Sequence, residues 1–318
     1  MNKKEILDLA KDNLTIFDSF AKAYDVIPNY KNVAVSISGG ADSDILIDMF
    51  SKCDFDTKIH YIWFDTGLEY QATKDHLKEL ESKYNIKIDP YKAEKPIPLA
   101  VREYGQPFIS KYHSAMIERL QRYNFKFEDK PFDELLKEYP NCKSALMWWC
   151  NKRGENSSFS IGRTKLLKEF MIENPPTFKI SDKCCLWAKK KVAHKYEKEN
   201  NIDLKIVGLR KAEGGIRSAR FTSCFDYKKN DADYFRPIFW FKNEDKKEYE
   251  KLFNVEHSKC YTEYGLDRTG CAGCPFGKDF EKELEIIQKY EPKLYVAVNN
   301  IFKDSYEYTR KFIEFKKK

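Results

Sequence analysis

The chain has 318 residues, with 57 lysines and arginines against 50 aspartates and glutamates, giving a net charge of +7 and a pI near 8.7. Hydrophobic residues make up 42% and aromatics 15%, enough for a sizeable core, while a 34% charged fraction and a mean hydropathy of −0.68 describe a wet surface. No window approaches the roughly 18 apolar residues that span a bilayer, and the opening MNKKEILDLAKDNL has lysines but no apolar stretch behind them. A cytoplasmic chain without a membrane partner is therefore expected.

The first 30 residues predict helix, with Leu7, Ala10, Leu14, Phe17 and Ala21 at helical spacing. A short β-branched run, NVAVSIS, follows as a buried strand. SDILIDMF places Ile45, Leu46, Met49 and Phe50 on one helical face. KIHYIWFDTG is a second strand ending in a polar loop, QATKDHLKELESKY a second helix with Thr73, Leu77, Leu80 and Tyr84 aligned, and IKIDPYK a third strand. This alternation predicts an α/β fold, a doubly wound parallel sheet with helices on both faces. Residues 96 to 183 change character. They are aromatic-rich and broken by seven prolines between Pro96 and Pro176, and read as a long helical insertion. DLKIVGLR returns to strand, and NEDKKEYEKLF is a later helix with Asn243 as its N-cap. The expected organisation is an N-terminal helical segment over 1–30, a nucleotide-binding core over 31–280 that contains the insertion, and a helical tail over 281–318.

The first strand runs into SISGGADS, residues 36 to 43. Gly39 and Gly40 can adopt backbone angles closed to other residues and let main-chain N–H groups approach a ligand. Ser36, Ser38 and Ser43 add hydroxyls, and the following helix turns its N-terminus on the same spot, which favours an anion. The stretch reads as a phosphate cradle. It is neither G-x-x-x-x-G-K-[ST] nor G-x-G-x-x-G. Asp42 is acidic beside the expected phosphate, as a magnesium contact, a brace of the loop or a cap of the next helix. The basic runs AKKKVAHK and FKKK read as solvated surface.

Nine cysteines in a chain with no visible export signal argue against disulfides and for metal binding or catalysis. Cys184 and Cys185 are adjacent in SDKCCLW, and Cys271 and Cys274 form C-x-x-C in GCAGCPFG. Four soft thiolates suit an iron–sulfur cluster or zinc, and the adjacent pair leans to iron–sulfur, since zinc sites usually draw on two C-x-x-C knuckles. Cys224 and Cys260 are spare. Cys53, Cys142 and Cys150 read as small buried residues. His113 is a weak candidate to approach a nucleotide.

Taken together these motifs resemble one family. S-G-G-x-D-S is similar to the pyrophosphate loop of the adenine nucleotide α-hydrolase superfamily. Phe64, Asp65, Thr66 and Gly67 resemble the D-T-G segment after the second strand of its sulfonucleotide reductase branch, with Gln71, Ala72 and Thr73 in place of a later Glu-Thr and Glu69 shifted. GLRKAEGGIRSAR, with Gly208, Arg210, Arg217 and Arg220, resembles the arginine segment of the same reductases, and CC…CxxC is similar to the adenylylsulfate reductase signature. The resemblance is to the phosphoadenosine phosphosulfate (PAPS) reductase family, over about residues 30 to 280. It implies nucleotide binding through residues 36, 38–43, 64–67, 208, 210, 217 and 220, a [4Fe–4S] cluster on Cys184, Cys185, Cys271 and Cys274, and ATP, APS or PAPS as the nucleotide, with magnesium.

The chain departs from the reductases in having no cysteine after Cys274, where they carry a nucleophile near the C-terminus. The first expectation is therefore ATP-dependent, adenylating sulfur transfer to a nucleic acid or other acceptor, with Asp42 in the catalytic loop and a sulfur-donor protein such as a cysteine desulfurase. The runner-up is sulfonucleotide reduction with Cys260 or Cys224 as nucleophile. The third is a nucleotide-binding subunit of a modification or defence complex, without turnover. Trp148 and Trp149 could stack on bases or belong to the core.

Overall fold

The computed structural model describes residues 3–214, 220–229, 231–277 and 279–318, without the side chains of Leu7 and Leu9. It divides the chain into two compact units, one of residues 1–93 with 189–271 and the other of 94–188 with 272–318. The aromatic-rich segment thus groups with the C-terminal helices.

The first unit is built on a six-stranded sheet in the order β3-β2-β1-β4-β6-β5. β1 (Asn32–Ile37), β2 (Lys58–Asp65), β3 (Ile88–Lys92), β4 (Leu204–Val207) and β6 (Asp233–Phe235) run parallel, and β5 (Phe225–Asp226) is an antiparallel edge. This is the α/β class expected from the alternating pattern. Register pairs Ser36 with Ile62 of β2 and with Val207 of β4, so β1 is hydrogen-bonded on both edges. Val33, Val35 and Ile37 enter the larger core, while Ala34 faces a smaller cluster with Ile62, Ile202 and Tyr196. That alternation is the physical signature of a strand covered on both faces.

Helices α1 (Lys3–Ala10) and α2 (Leu14–Val26) open the unit. The helical period is not continuous through them. Asn13 Oδ1 accepts from the N–H groups of Thr15 and Ile16, restarting the helix, and Leu14 is 79% exposed rather than part of the apolar stripe. α3 (Ala41–Lys52) follows β1, α4 (Gln71–Tyr84) follows β2, and α11 (Lys191–Glu199) leads to β4. α12 (Asn243–Phe253) and α13 (Lys259–Thr262) complete it. Asn243 is not the cap of α12. Lys242 holds that position, and its N–H donates to Asp245 Oδ2 at 2.8 Å.

The second unit is helical: α5 (Ile97–Tyr104), α6 (Lys111–Arg122), α7 (Phe132–Glu138), α8 (Lys143–Trp149), α9 (Leu167–Glu173), the short α10 (Lys183–Cys185), α14 (Phe280–Tyr290) and α15 (Pro292–Phe315). Its core gathers Phe108, Leu146, Phe170 and Met171 around Tyr308 and Phe312 of α15. Trp148 and Trp149 are both wholly buried there, which rules out the base-stacking role. Cys53 and Cys150 are only half-buried, unlike Cys142.

Candidate nucleotide site

The carboxyl end of β1 is the point where the sheet changes direction, because connections from β1 and β3 lead to strands on opposite sides of it. In open α/β sheets such a switch point leaves a crevice for ligands. Residues 38–40 fill the step from β1 to α3. Gly39 has φ +68°, and a Cβ there would lie 2.5 Å from Thr73 Cγ2 of α4, so glycine is required twice over. Ser43 organises the turn. Its Oγ accepts from the Gly40 N–H at 3.1 Å and donates to the Gly40 carbonyl at 2.7 Å. Ser38 is exposed, with its Oγ 3.4 Å from that of Ser43. Ser36 is half-buried on β1.

Asp42, in the first turn of α3, is the centre of a brace. Its Oδ1 accepts from Arg210 Nε at 3.1 Å and from Lys246 Nζ at 2.9 Å. Arg210 also donates from Nη1 to Asn243 Oδ1 at 3.1 Å, and its N–H bonds Glu213. Gly208 allows this approach, since a Cβ there would lie 2.9 Å from the Asp42 carbonyl oxygen. The guanidinium is thus engaged with Asp42 and Asn243, and a metal ion would compete with two cations for Oδ1. Arg220 is exposed, its guanidinium 5.8 Å from the Phe221 ring centre. Arg217 lies outside the described residues.

Below that brace is a buried charge cluster. Asp44, wholly buried, meets His257 Nδ1 at 2.8 Å and His76 Nε2 at 3.1 Å, and His257 Nε2 meets Glu250 Oε1 at 2.9 Å. Burial opposes charge on His257, but the two carboxylates outweigh it and push its pKa up to about 9. His76 is raised in the same way by Asp44 and Glu79, against burial.

After β2, Asp65 Oδ1 accepts from the Gly67 N–H at 2.9 Å, and Glu69 closes the turn by accepting from the Thr66 hydroxyl and N–H. Burial raises the Glu69 pKa. Glu69 is committed to this loop, while Thr73 abuts Gly39. Phe64 packs edge-on to Tyr91 and Tyr196. Thr66 and Thr73 each sit beside a thiol: Thr66 Oγ1 is 3.7 Å from Cys271 Sγ, and Thr73 Oγ1 is 3.6 Å from Cys260 Sγ. Cys260 is wholly buried. Cys224 is half-buried.

Cys271 belongs to the first unit and Cys184, Cys185 and Cys274 to the second. Cys184 is buried and Cys185 and Cys274 half-buried. Gly273, at φ +62°, makes the bend inside the C-x-x-C, its N–H held by Glu283 and its carbonyl by Tyr306. A different grouping, His194, Glu197 and Asp231, could also offer ligands, but Lys205 Nζ already bonds Glu197 at 2.9 Å and Asp231 at 3.2 Å. His113 is buried in the second unit against Thr164, and burial lowers its pKa to about 4.

The sequence offered Asn243 only as a helix cap and did not single out Lys246, Tyr261, whose hydroxyl accepts from the Ala41 N–H, or Thr269 beside it. Asn243 and Lys246 stand three apart on α12 and so share a face, which was the available signal. Tyr261 and Thr269 carried none.

Residues 32–158 match the sequence profile of the phosphoadenosine phosphosulfate reductase domain. The match covers less than half of the chain and marks that stretch as PAPS reductase-like. An uncharacterised protein of Methanocaldococcus jannaschii is 35% identical over 89 residues, which span 27% of this chain and 20% of that relative. Among solved structures, PAPS reductase from Candida auris in its phosphate complex is similar at 13% identity and TM-score 0.46, over 83% of this chain and 93% of that one. The U34-tRNA thiolase NcsA of Methanococcus maripaludis, with its [4Fe–4S] cluster, is similar at 13% identity and TM-score 0.40, over 93% of this chain and 79% of that one. The PAPS reductase-type stretch contains the glycine loop, the FDTG turn and Thr73. No helix among the described residues is long and apolar enough to cross a membrane.

Proposed function

We propose that this protein binds an adenine nucleotide with its phosphates on residues 38–43 and uses it in adenylating sulfur transfer. The observation that carries the nucleotide reading is the Gly39–Ser43 turn at the switch point of a parallel sheet, braced by Asp42, Arg210 and Lys246 and belonging to a PAPS reductase-type stretch. In the proposed reaction an acceptor oxygen attacks the α-phosphorus of ATP. Pyrophosphate leaves, held by loop N–H donors, and the acceptor carries AMP. The terminal sulfur of a donor persulfide, such as a cysteine desulfurase makes, then displaces AMP and leaves acceptor and donor joined through an S–S bond, which a thiol reductant cleaves to give the thiolated acceptor and the donor thiol. N–H groups aimed at the leaving pyrophosphate would stabilise the charge that develops on it.

Cys184, Cys185, Cys271 and Cys274 are proposed to hold a [4Fe–4S] cluster. The support is their signature in the chain and an all-thiolate donor set with Gly273 bending the C-x-x-C; zinc is the competing metal. When bound, such a cluster supplies soft iron sites for sulfur chemistry. The chain's own residues position the nucleotide. A nucleic-acid acceptor is consistent with the net charge of +7.

Reduction of a sulfonucleotide is the second reading, favoured by the family profile. Against it, Cys260 is wholly buried against Thr73, and a thiol that attacks a nucleotide must reach it. The test is anaerobic protein offered ATP, APS and PAPS in turn with a thiol reductant. AMP and pyrophosphate from ATP, in the presence of a tRNA or DNA acceptor and a persulfide donor, support sulfur transfer. Sulfite from either sulfonucleotide, lost in Cys260→Ser, replaces it with reduction. Saturable binding without any product leaves a nucleotide-binding subunit.

A further inference from the structure

The Tyr261 hydroxyl accepts from the Ala41 N–H at 3.2 Å and from the Thr269 N–H at 3.2 Å, and lies 3.1 Å from Thr269 Oγ1. One of these amides is the first of α3 and belongs to the proposed cradle. The other comes from the loop after α13. Two main-chain donors and a hydroxyl therefore converge on a single oxygen beside Gly40.

The tyrosine is presented from a fixed base. His257, just before α13, is held by Asp44 and Glu250 at 2.8 and 2.9 Å. Ser258 donates to the Ala72 carbonyl at 3.2 Å, and its Oγ accepts from the Cys260 N–H at 3.3 Å. The far end of the segment, Cys271, lies 3.7 Å from Thr66. Between these anchors, Tyr261 and Thr269 hold each other and α3.

We propose that Tyr261 is a displaceable occupant of the cradle: its hydroxyl holds the Ala41 amide while no nucleotide is bound and gives it up to a phosphate oxygen when one arrives. This rests on the nucleotide reading above and concerns the regulation of that same site. One N–H serves one acceptor well, so phenol and phosphate compete for Ala41. The phosphate wins, because a hydrogen bond to an ionised acceptor is roughly twice as strong as one to a neutral group, and the first turn of α3 favours negative charge. The phenol is neutral, burial having raised its pKa. In the empty state it satisfies the amide of buried Ala41 and that of half-buried Thr269. Its release loosens the tip of the 257–271 segment, so occupancy of the cradle is communicated to the segment that carries Cys260 and Cys271.

The test is Tyr261→Phe, titrated with inorganic pyrophosphate and, separately, with ATP, APS and PAPS. Without the competing hydroxyl, pyrophosphate binding tightens about fivefold, the equivalent of one ordinary hydrogen bond. In wild-type protein, the backbone 15N–1H signals of Ala41 and Thr269 both shift on saturation with pyrophosphate. Equal or weaker pyrophosphate binding by a folded Tyr261→Phe variant overturns the proposal, since it would make the hydroxyl a ligand or a bystander. Unmoved Ala41 and Thr269 signals in the saturated wild type overturn it whether or not the variant folds, as does failure of pyrophosphate to bind either protein. The two readings part cleanly. Tighter pyrophosphate binding with no binding of any adenine nucleotide keeps the displacement and removes the nucleotide. Nucleotide binding with both amides unmoved does the reverse.

Discussion

Gly208 has no room for a side chain, because a Cβ would press on the Asp42 carbonyl 2.9 Å away. Gly208→Ala must push β4 and the first turn of α3 apart, at a cost of about 1–3 kcal/mol in stability, read by urea unfolding; an unchanged midpoint would mean that the contact yields freely. Arg210→Lys keeps the charge but cannot bond Asp42 and Asn243 together. It is expected to weaken ATP binding by about 1–3 kcal/mol, measured by calorimetry, and wild-type affinity would return Arg210 to a purely local role. The glycines, Asp42 and Arg210 were legible in the sequence because each sits at the end of a recognisable strand. Lys246, Tyr261 and Thr269 were not, because their roles come from meeting α3 across more than 200 positions of chain, and no local pattern encodes that meeting.

At the scale of elements, α3 shares an apolar core with α4 and α12 and is also tied to its neighbours through buried polar groups. Asp44 faces His257 and His76, and Glu250 of α12 faces His257 from the other side. The pKa of His257, raised to about 9, sets the sign of the pH dependence. The folded state binds this proton more tightly than the unfolded state, in which an ordinary histidine titrates near 6.5. Its contribution is therefore complete below about pH 6.5 and is lost as pH rises through about 9. The denaturation midpoint should fall between pH 7 and pH 9.5, and the fall should be smaller in His257→Gln; a flat wild-type profile would show that the ring is not charged. The strands and helices of residues 32–92 could be read from period alone, since each buries its stripe against a near neighbour in sequence. Helix ends were harder. Asn13 and Lys242 set caps that the apolar period passes over.

At the scale of the whole molecule, the second unit shows why the 94–188 segment resisted sequence reading. Its core closes on Tyr308 and Phe312 of α15, more than 100 residues away, so its aromatics looked available when they were committed to packing. The cysteine proposal belongs to this scale too. Anaerobic protein should carry about four irons with broad absorbance near 400 nm, and Cys185→Ser should lose most of the iron; stoichiometric zinc in a colourless sample would replace the cluster. Nucleotide binding depends, in this proposal, on the loop at the end of β1. Its most direct test is calorimetric titration of ATP into wild-type protein and into Gly39→Ala, whose new methyl group would meet Thr73 Cγ2 at 2.5 Å from a backbone held at φ +68°. Saturable binding is expected for the wild type, with at least about a tenfold loss, about 1.4 kcal/mol, in a variant that remains folded by circular dichroism. Equal affinity in the two proteins would contradict the proposal.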